Sequence, residues 1–423
     1  MHQRVRLAGR AATVGAHVIR EHLGRCTPRT AADIPRSGVA LTTEWLTAVL
    51  CAEVPGAAVT EFRVPEAHAG TTSRASLRVT YNDAGRESGL PTELFTKASA
   101  SFVQRLMLGG ADVLHGETKF FMTFRPRIDM EAPRGYFAGV DPRSWRSLLL
   151  MEDIAATKGA RFIEPTTPIT RAQLEDLLGN MAKYHGTCWE DPDLDVLKTP
   201  NDFFHNLATF VRMGPRTAVG MKRAKTVIPS SLYGHADKLW EGTRRCLDIA
   251  TNETPATLLH GDGHVGQAYI TEDGRMGHTD WQGTMQGGWF YDYAYLVSTA
   301  LDPDDRRAWD KELLEHYLER LVEAGGKAPT FDVAWLRYRQ AVFYAYSAWS
   351  FTIGRAFYQP KMQPDAVSLA CIKRVAAAIE DLRSLDAVGL WPIRCRRVPG
   401  VGTFAHGRER SREAHRGPGA SAC

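Results

Sequence analysis

Two acidic residues, Asp262 and Asp280, lie in a segment whose pattern predicts that both occupy fixed positions near the ends of short strands. The apolar run 257–259 leads into His-Gly-Asp-Gly-His at 260–264, and Asp280 follows a second apolar stretch. Glycines beside Asp262 and the Asp-Gly pair at 273–274 favour a strand, loop, strand, turn and strand in this order. Two fixed carboxylates suit metal-assisted phosphoryl transfer, in which one orients the attacking hydroxyl and the other holds Mg²⁺.

The segment 258–295 resembles the catalytic segment of the aminoglycoside phosphotransferase and choline/ecdysteroid kinase-like family, distant relatives of the protein kinases. These proteins carry H-G-D-x-H-x-x-N, followed by an apolar hairpin and D-W or D-F. The residues that match this pattern are His260, Gly261, Asp262, His264, Asp280 and Trp281. The resemblance implies that Asp262 is the catalytic carboxylate and that Asp280 binds Mg²⁺. It also implies that His260 and His264 give structural support to the loop.

Gln267 departs from the family pattern, because it occupies the place of the Asn that binds metal. Glutamine offers the same amide oxygen on a side chain one methylene longer. The resemblance therefore implies that Gln267 is a second metal ligand, and the departure also leaves open a protein that binds nucleotide without catalysis.

Lys97 and Glu117 occur in the order, and with roughly the spacing, of the lysine and glutamate that steady the nucleotide phosphates in kinases. Lys97 ends the predicted strand 94–97, and Glu117 lies in the helix-like run 111–125. The resemblance implies that the two side chains form an ion pair in the nucleotide site.

A hairpin is predicted upstream of Lys97 by the alternating patterns at 59–64 and 76–81. Its tip contains Gly70, Thr71 and Thr72, which are small or hydroxylated. Such a tip can direct backbone N–H groups at phosphates, so these three residues are candidates for binding the nucleotide.

Two further segments resemble parts of the same family. The run 147–153 resembles the linker between the lobes, whose backbone hydrogen-bonds adenine, which implies nucleotide contacts at Met151, Glu152 and Ile154. Asp292 resembles an Asp at the start of a helix beneath the catalytic loop. An acid there would accept backbone N–H groups of the loop and support Asp262.

The length and composition of the chain limit the class of protein to which it can belong. The chain has 423 residues, of which 44% are hydrophobic, enough for one large or two modest cores. Its apolar runs are shorter than the roughly 20 residues that a membrane helix requires. The seven cysteines are scattered without C-x-x-C pairs, which predicts a reducing, cytoplasmic compartment.

Basic residues are concentrated at the two ends of the chain. The segments 1–40 and 391–423 each carry seven arginines and two acidic residues, so the total of +4 leaves −6 for residues 41–390. Arginine-rich ends with glycine, proline and serine predict poorly ordered segments. The acidic body argues against a nucleic-acid partner.

The resemblance implies an α+β fold with two lobes, as in protein kinases. Residues 41–150 would form a small N-terminal lobe, built from an antiparallel nucleotide-binding sheet with helices. Residues 151–390 would form a larger, mainly α-helical C-terminal lobe that holds the catalytic loop and the acceptor site.

The implied function is an ATP- and Mg²⁺-dependent phosphotransferase that phosphorylates a hydroxyl group of a small molecule. The acceptor stays open at this point. The negative body permits a cationic amino sugar or amino alcohol, and the aromatic helices permit an apolar alcohol. A nucleotide-binding pseudokinase or scaffold is the alternative that Gln267 raises.

A metal-dependent hydrolase is a less favoured alternative. The segment contains five side chains of types that bind zinc, namely His260, Asp262, His264, His278 and Asp280. The H-x-D-x-H spacing can gather Zn²⁺. This alternative leaves Lys97 and Glu117 unexplained.

Overall fold

The computed structural model describes residues 2–24, 27–357, 359 and 361–390, so the segment 391–423, predicted to be a poorly ordered tail, lies outside the described residues. A six-stranded antiparallel sheet and the helices around it form the N-terminal lobe. Its elements are α1 (His2–Leu23), α2 (Thr43–Leu50), β1 (Val59–Arg63), β2 (Ala67–Ala69), β3 (Ser73–Tyr81), α3 (Asp83–Glu87), β4 (Glu93–Ala98), α4 (Phe102–Gly110), α5 (Gly116–Lys119), β5 (Gly135–Asp141) and β6 (Arg146–Glu152). The strands run in the order β1-β3-β4-β6-β5, and β2 pairs with the start of β3.

Strand β3 gives this sheet two different faces. Ala75 and Leu77 are buried, whereas Arg74 and Arg78 are exposed, as the alternation of side chains along a strand requires. Leu77 belongs to a hydrophobic cluster that also contains residues of α2. The opposite face carries Arg74, which pairs in register with Lys97 of β4.

Helix α1 corrects the prediction that residues 1–40 are poorly ordered, because His2–Leu23 is helical. Glu21 forms an ion pair with Arg105 of α4, with 2.6 Å between Glu21 Oε2 and Arg105 Nη2. Arg105 is fully buried and also donates from Nε to the carbonyl oxygen of Ser99 at 3.1 Å. Composition does not reveal such a buried pair between segments distant in sequence.

The C-terminal lobe is mainly helical. Its elements are α6 (Ile154–Lys158), β7 (Arg161–Phe162), α7 (Arg171–Thr187), α8 (Pro200–Val211), α9 (Met213–Arg223), α10 (Ala236–Asn252), β8 (Thr257–Leu259), β9 (Ala268–Ile270), β10 (Met276–His278), β11 (Met285–Gly287), α11 (Phe290–Ala300), α12 (Pro303–Glu323), α13 (Phe331–Ala341), α14 (Phe343–Ile353), α15 (Asp365–Asp381) and α16 (Ser384–Ala387). Strand β9 pairs with β10 and β7, and β8 pairs with β11. The predicted α+β fold with a sheet lobe and a larger helical lobe is confirmed.

Short helical turns join several of these elements. Single 3₁₀ turns span Gly38–Ala40, Arg125–Arg127, Pro192–Val196, Lys225–Val227, Val265–Gln267 and Trp281–Gly283, and a π-helical turn spans Phe120–Phe124. Among the described residues, no helix combines the length and the apolar character that crossing a bilayer requires.

Helix α11 lies beneath the catalytic loop. All eleven of its residues are buried, and a helix enclosed on every side belongs to the core of a lobe. Asp292 is one of these residues, and it is fully buried. A buried carboxylate requires hydrogen-bond donors from the protein, so its partners identify what the helix supports.

Candidate active site

The loop that carries Asp262 joins β8 to the 3₁₀ turn Val265–Gln267. Gly261 in this loop has a φ of 80°, and a Cβ atom there would overlap the carbonyl oxygen of Gly283. Glycine is therefore needed for two reasons, the left-handed backbone and the close approach of the neighbouring turn. The turn at Gly283 follows Asp280, so the same contact brings the two predicted acids together.

Asp292 fixes the start of this loop. Its Oδ2 accepts the backbone N–H of His260 at 2.6 Å, and its Oδ1 accepts the N–H of Gly261 at 3.0 Å. The hydroxyl of Tyr184 donates to Oδ2 at 3.1 Å. Burial alone would raise the pKa of Asp292, but hydrogen bonding and charge from His185, together with the other donors, keep it below the ordinary value. The ionised carboxylate thus holds two N–H groups of the loop, and its role in supporting Asp262 during catalysis stays a prediction.

His260 ties the loop to the strand that precedes Asp280. Its Nε2 donates to the carbonyl oxygen of Thr279 at 2.9 Å, and its Nδ1 accepts the N–H of Asp262 at 3.3 Å. Both contacts require the neutral ring with hydrogen on Nε2. Burial lowers the pKa of His260, which favours this neutral form.

His264 supports the other side of the loop. Its Nδ1 accepts the N–H of Gly266 at 3.0 Å, and its ring packs edge-on against Trp349, with 5.0 Å between ring centres. Burial lowers the pKa of His264 to about 3, so the ring is neutral at physiological pH. Both histidines of the motif therefore orient the loop.

The carboxylate of Asp262 faces a cleft between the lobes. Gln267 Nε2 donates to Asp262 Oδ2 at 3.4 Å, and hydrogen bonding from the Tyr295 hydroxyl also favours the charged carboxylate. Burial and then the negative charge of Asp280 raise the pKa of Asp262 to about 7. A general base is most effective when its pKa lies near the working pH. Nothing in the sequence pattern marks Tyr295 as a site residue.

Lys97 connects the sheet lobe to the turn that carries Asp280. Lys97 Nζ lies 2.8 Å from Glu117 Oε1 and 2.6 Å from Asp280 Oδ1. Burial alone would lower the pKa of Lys97, but the charges of Asp280 and Glu117 outweigh burial and raise it. The pair that the spacing predicted is present, and it lies against the second acid of the motif.

Arg74 is a second cation at the same point. Because it lies opposite Lys97 in the sheet, both side chains project from one face, and Arg74 Nη2 is 3.9 Å from Asp280 Oδ2. Arg74 Nε donates to Thr72 Oγ1 at 3.3 Å. The sequence pattern does not single out Arg74, because only the strand register distinguishes it from the other arginines of the sheet.

The tip of the β2–β3 hairpin contains Gly70, Thr71 and Thr72. Gly70 and Thr71 are exposed and Thr72 is buried. The N–H of Gly70 donates to the carbonyl oxygen of Thr72 at 2.9 Å, and the carbonyl oxygen of Gly70 accepts Gln104 Nε2 at 2.9 Å. The backbone of Gly70 therefore closes the hairpin, and the N–H groups of this tip are not all available to a phosphate. Thr72 instead orients Arg74.

The segment predicted to contact adenine lies where β6 ends and α6 begins. The N–H of Glu152 donates to the carbonyl oxygen of Arg134 at 2.8 Å, and the Glu152 carboxylate accepts the N–H of Arg134 at 3.1 Å. Glu152 therefore joins β6 to the residue before β5. Met151 is half-buried in β6, and Ile154 is buried at the start of α6, so the adenine-binding role of these two residues stays a prediction.

The donor set around Asp280 fits the ligands that magnesium prefers. Within the described ranges, no three His, Cys, Asp or Glu side chains are grouped as ligands for a metal ion. Nothing in the described residues favours the zinc hydrolase alternative. Mg²⁺ is usually held by one or two carboxylates together with phosphate oxygens and waters, and Asp280 with the amide of Gln267 on the same cleft fits that set.

Residues 92–339 match the sequence profile of the phosphotransferase enzyme family. The chain belongs to this family. The matched range contains the lysine of β4, the catalytic loop and the turn at Asp280, so the predicted family and the predicted class of small-molecule phosphotransferase are confirmed. No protein with a curated description is significantly similar to this phosphotransferase in sequence.

Solved structures with a similar fold include three small-molecule kinases. A choline/ethanolamine kinase family protein from Mesorhizobium loti has 17% identity and a TM-score of 0.45, over 81% of this chain and 96% of that one. The choline kinase LicA from Streptococcus pneumoniae has 10% identity and a TM-score of 0.42, over 76% and 94%. The macrolide 2'-phosphotransferase MphH from Brachybacterium faecium has 13% identity and a TM-score of 0.40, over 77% and 98%.

Proposed function

We propose that this phosphotransferase transfers the γ-phosphoryl group of ATP to a hydroxyl group of a small molecule, with Mg²⁺ as the metal. The observation that carries the proposal is the direct contact of Lys97 with Asp280, at 2.6 Å, beside the cleft that Asp262 faces. The junction of the two lobes thus brings together three groups that phosphoryl transfer needs. These are a cation for the nucleotide phosphates (Lys97), an acid for the metal (Asp280) and a base for the acceptor (Asp262).

Asp262 orients the acceptor hydroxyl and takes its proton. The hydroxyl oxygen bonds to the γ-phosphorus while the bond from that phosphorus to the bridging oxygen breaks, and ADP leaves with the bond electrons. The hydrogen bond from Gln267 at 3.4 Å and the hydroxyl of Tyr295 hold the carboxylate for this step. Holding the reacting groups in place is the main contribution that a protein makes to phosphoryl transfer.

Lys97 and Arg74 bind the nucleotide phosphates. Glu117 holds Lys97 at 2.8 Å, and Thr72 holds Arg74 at 3.3 Å, so both cations have fixed directions. Asp280 and Gln267 would hold Mg²⁺, which when bound neutralises charge that develops on the phosphate oxygens. The main chain at Met151 and Ile154 contacts adenine, as the linker does in the family that the sequence resembles.

The proposal also includes the cellular compartment in which the protein acts. The four described cysteines, at 51, 188, 246 and 371, are buried and carry free thiols. Free thiols are the usual state in a reducing compartment. A cytoplasmic location, as predicted from the sequence, is therefore part of the proposal.

The test is to detect the phosphate ester itself. The full-length protein is incubated with ATP, Mg²⁺ and a panel of alcohols, and ³¹P NMR is used to follow a new phosphate monoester together with ADP in equal amounts. We expect an ester with at least one alcohol. Binding of ATP to the protein without either ester or ADP would favour the pseudokinase alternative and reject the proposal.

A further inference from the structure

The cleft in front of Asp262 has walls that indicate what kind of acceptor enters it. Its volume is about 330 Å³, which is within the usual range for a small-molecule site. Most of the side chains that line it are apolar or aromatic, including Phe203, Leu207, Met213, Tyr344, Trp349 and Phe351. These residues come from α8, the start of α9 and α14, so the wall belongs to the helical lobe.

The charges in the cleft are confined to the catalytic end. Among the described lining residues, the carboxylates are those of Asp262 and Asp280, and neither lysine nor arginine lines the walls. Other polar groups include the uncharged side chains of Gln282, Thr352 and Gln363. An ammonium group in the cleft would have as its counter-ions only the two acids that the phosphoryl transfer requires. Burying a charge without a partner is strongly unfavourable.

The aromatic rings do not form an open cage for a cation. Trp349 is 3% exposed and Tyr344 is 5% exposed. The ring of Trp349 packs against His264, and the ring of Tyr344 packs against Tyr295, with 5.3 Å between ring centres. Cation–π binding needs an accessible ring face, and the low exposure of both residues leaves little of either ring open to a cation.

The ring of Phe351 already makes a cation–π contact within the protein. The guanidinium carbon of Arg216 lies 3.7 Å from the centre of the Phe351 ring, and Arg216 Nη2 donates to the Phe351 carbonyl oxygen at 3.3 Å. The guanidinium therefore already occupies the position that a second cation would need over this ring. The cleft wall at Phe351 is therefore suited to an apolar part of the acceptor.

We propose that the acceptor is an uncharged, predominantly apolar alcohol, and not an amino sugar or an ammonium-bearing alcohol. This inference rests on the proposed function, because it assigns the cleft to the acceptor. It selects between the two substrate classes that the sequence left open. The apolar walls of the helical lobe hold the carbon skeleton, and the hydroxyl points toward Asp262.

Pairs of alcohols that have the same shape and differ in charge test this inference. The first pair is 3,3-dimethylbutan-1-ol and choline, and the second is 2-cyclohexylethanol and 2-(piperidin-1-yl)ethanol, which is protonated at neutral pH. The value of kcat/KM is measured for each with ATP and Mg²⁺. We expect the neutral member of each pair to be favoured by about tenfold or more, since an apolar pocket discriminates against a charge.

Substitution at Thr352 gives a second, independent measurement. Thr352 lines the cleft and is half-buried. Thr352→Glu places a new acid against the acceptor, whereas Thr352→Gln has a similar size without the charge. We expect Thr352→Glu to shift the kcat/KM ratio toward the cationic member of each pair, and Thr352→Gln to leave the ratio close to that of the wild type.

The outcomes separate the two proposals. Preference of the wild type for choline and the piperidine alcohol would overturn the inference about the acceptor and leave the phosphotransferase function intact. Loss of the ratio shift in Thr352→Glu would show that this wall does not contact the acceptor, and would also overturn the inference.

Discussion

The loop that carries Asp262 and the hairpin that carries Arg74 meet at the same site, but they are held in different ways. The loop is fixed from below by Asp292, which accepts two of its backbone N–H groups at 2.6 and 3.0 Å. The hairpin tip has exposed residues at Gly70 and Thr71, and Arg74 reaches Asp280 at 3.9 Å with about half of its side chain exposed.

This difference separates two tasks in phosphoryl transfer. The base must be in position before the reaction, because a displacement of about 1 Å is enough to slow catalysis strongly. The cations that bind phosphate have the nucleotide as their partner. The nucleotide supplies their remaining contacts only when it binds. Substitutions in the loop should therefore lower kcat, and substitutions in the hairpin should raise the KM for ATP.

Among the residues that support the site, the largest effect is expected from Asp292→Asn. An amide group presents two N–H donors where the carboxylate accepts donors from His260, Gly261 and Tyr184. We expect a loss of about 1–3 kcal/mol in the free energy of unfolding. We also expect a fall of about 100-fold in kcat, since the loop is no longer held in place. Denaturant unfolding and steady-state kinetics measure the two effects.

Asp310→Asn is the matched control for Asp292→Asn. Asp310 is also a buried acid of the helical lobe, and it accepts the hydroxyl of Tyr338 at 2.9 Å. Burial raises its pKa to about 6. Its substitution should lower stability without changing kcat of the folded protein. An equal fall of kcat in both variants would contradict a specific role of Asp292 in the loop.

A smaller effect, on nucleotide affinity, is expected from Arg74→Ala. Loss of one charge-assisted contact to a phosphate should raise the KM for ATP by about tenfold, because such a contact contributes about 1.5–3 kcal/mol and Arg74 is half-exposed. The value of kcat should change little. Initial rates at varied ATP concentration measure both parameters.

Arg78→Ala controls for the loss of an arginine from the same strand. Arg78 lies four residues further along β3 on the same face, and it pairs with Glu93 at 3.3 Å. It has no contact with Asp280 among the described interactions of the chain. A rise in the KM for ATP in Arg78→Ala as large as in Arg74→Ala would show that general charge, and not position, explains the result.

The last effect, on the metal requirement, is expected at Gln267, which lies in the turn that follows Asp262. Gln267→Asn keeps an amide oxygen and should retain a sizeable part of the activity. Gln267→Ala should raise the Mg²⁺ concentration needed for half-maximal rate by about tenfold, as losses in a metal site commonly do. A Mg²⁺ titration at saturating ATP measures this change. An unchanged requirement in Gln267→Ala would show that the residue is not a metal ligand.

The sequence was sufficient to predict the residues whose roles depend on local spacing. Asp262 and Asp280 were identifiable because a loop and a short hairpin place them close together along the chain. Lys97 and Glu117 were identifiable only together with the later motif, because their order and spacing match the kinase pattern that this motif indicates.

Residues that depend on tertiary pairing were missed. Arg74 looks like any other strand arginine until the register shows it opposite Lys97. Tyr295 reaches Asp262 only because α11 passes beneath the loop, a packing that periodicity does not reveal. Composition predicts poor order where the structure has helix α1, since composition does not show the ion pair of Glu21 with Arg105.

The most direct test of the account is the effect of Asp262→Asn on a single turnover. The rate of phosphoryl transfer from bound ATP to an alcohol is measured by rapid quench, and ATP affinity is measured separately by calorimetry. Asparagine keeps the shape and cannot accept the proton, so the transfer rate should fall by about 10²- to 10⁴-fold, the usual contribution of a general base. The affinity for ATP should stay within about twofold of the wild-type value, because the phosphates are held by other residues. A transfer rate equal to that of the wild type would contradict the assignment of Asp262 as the base.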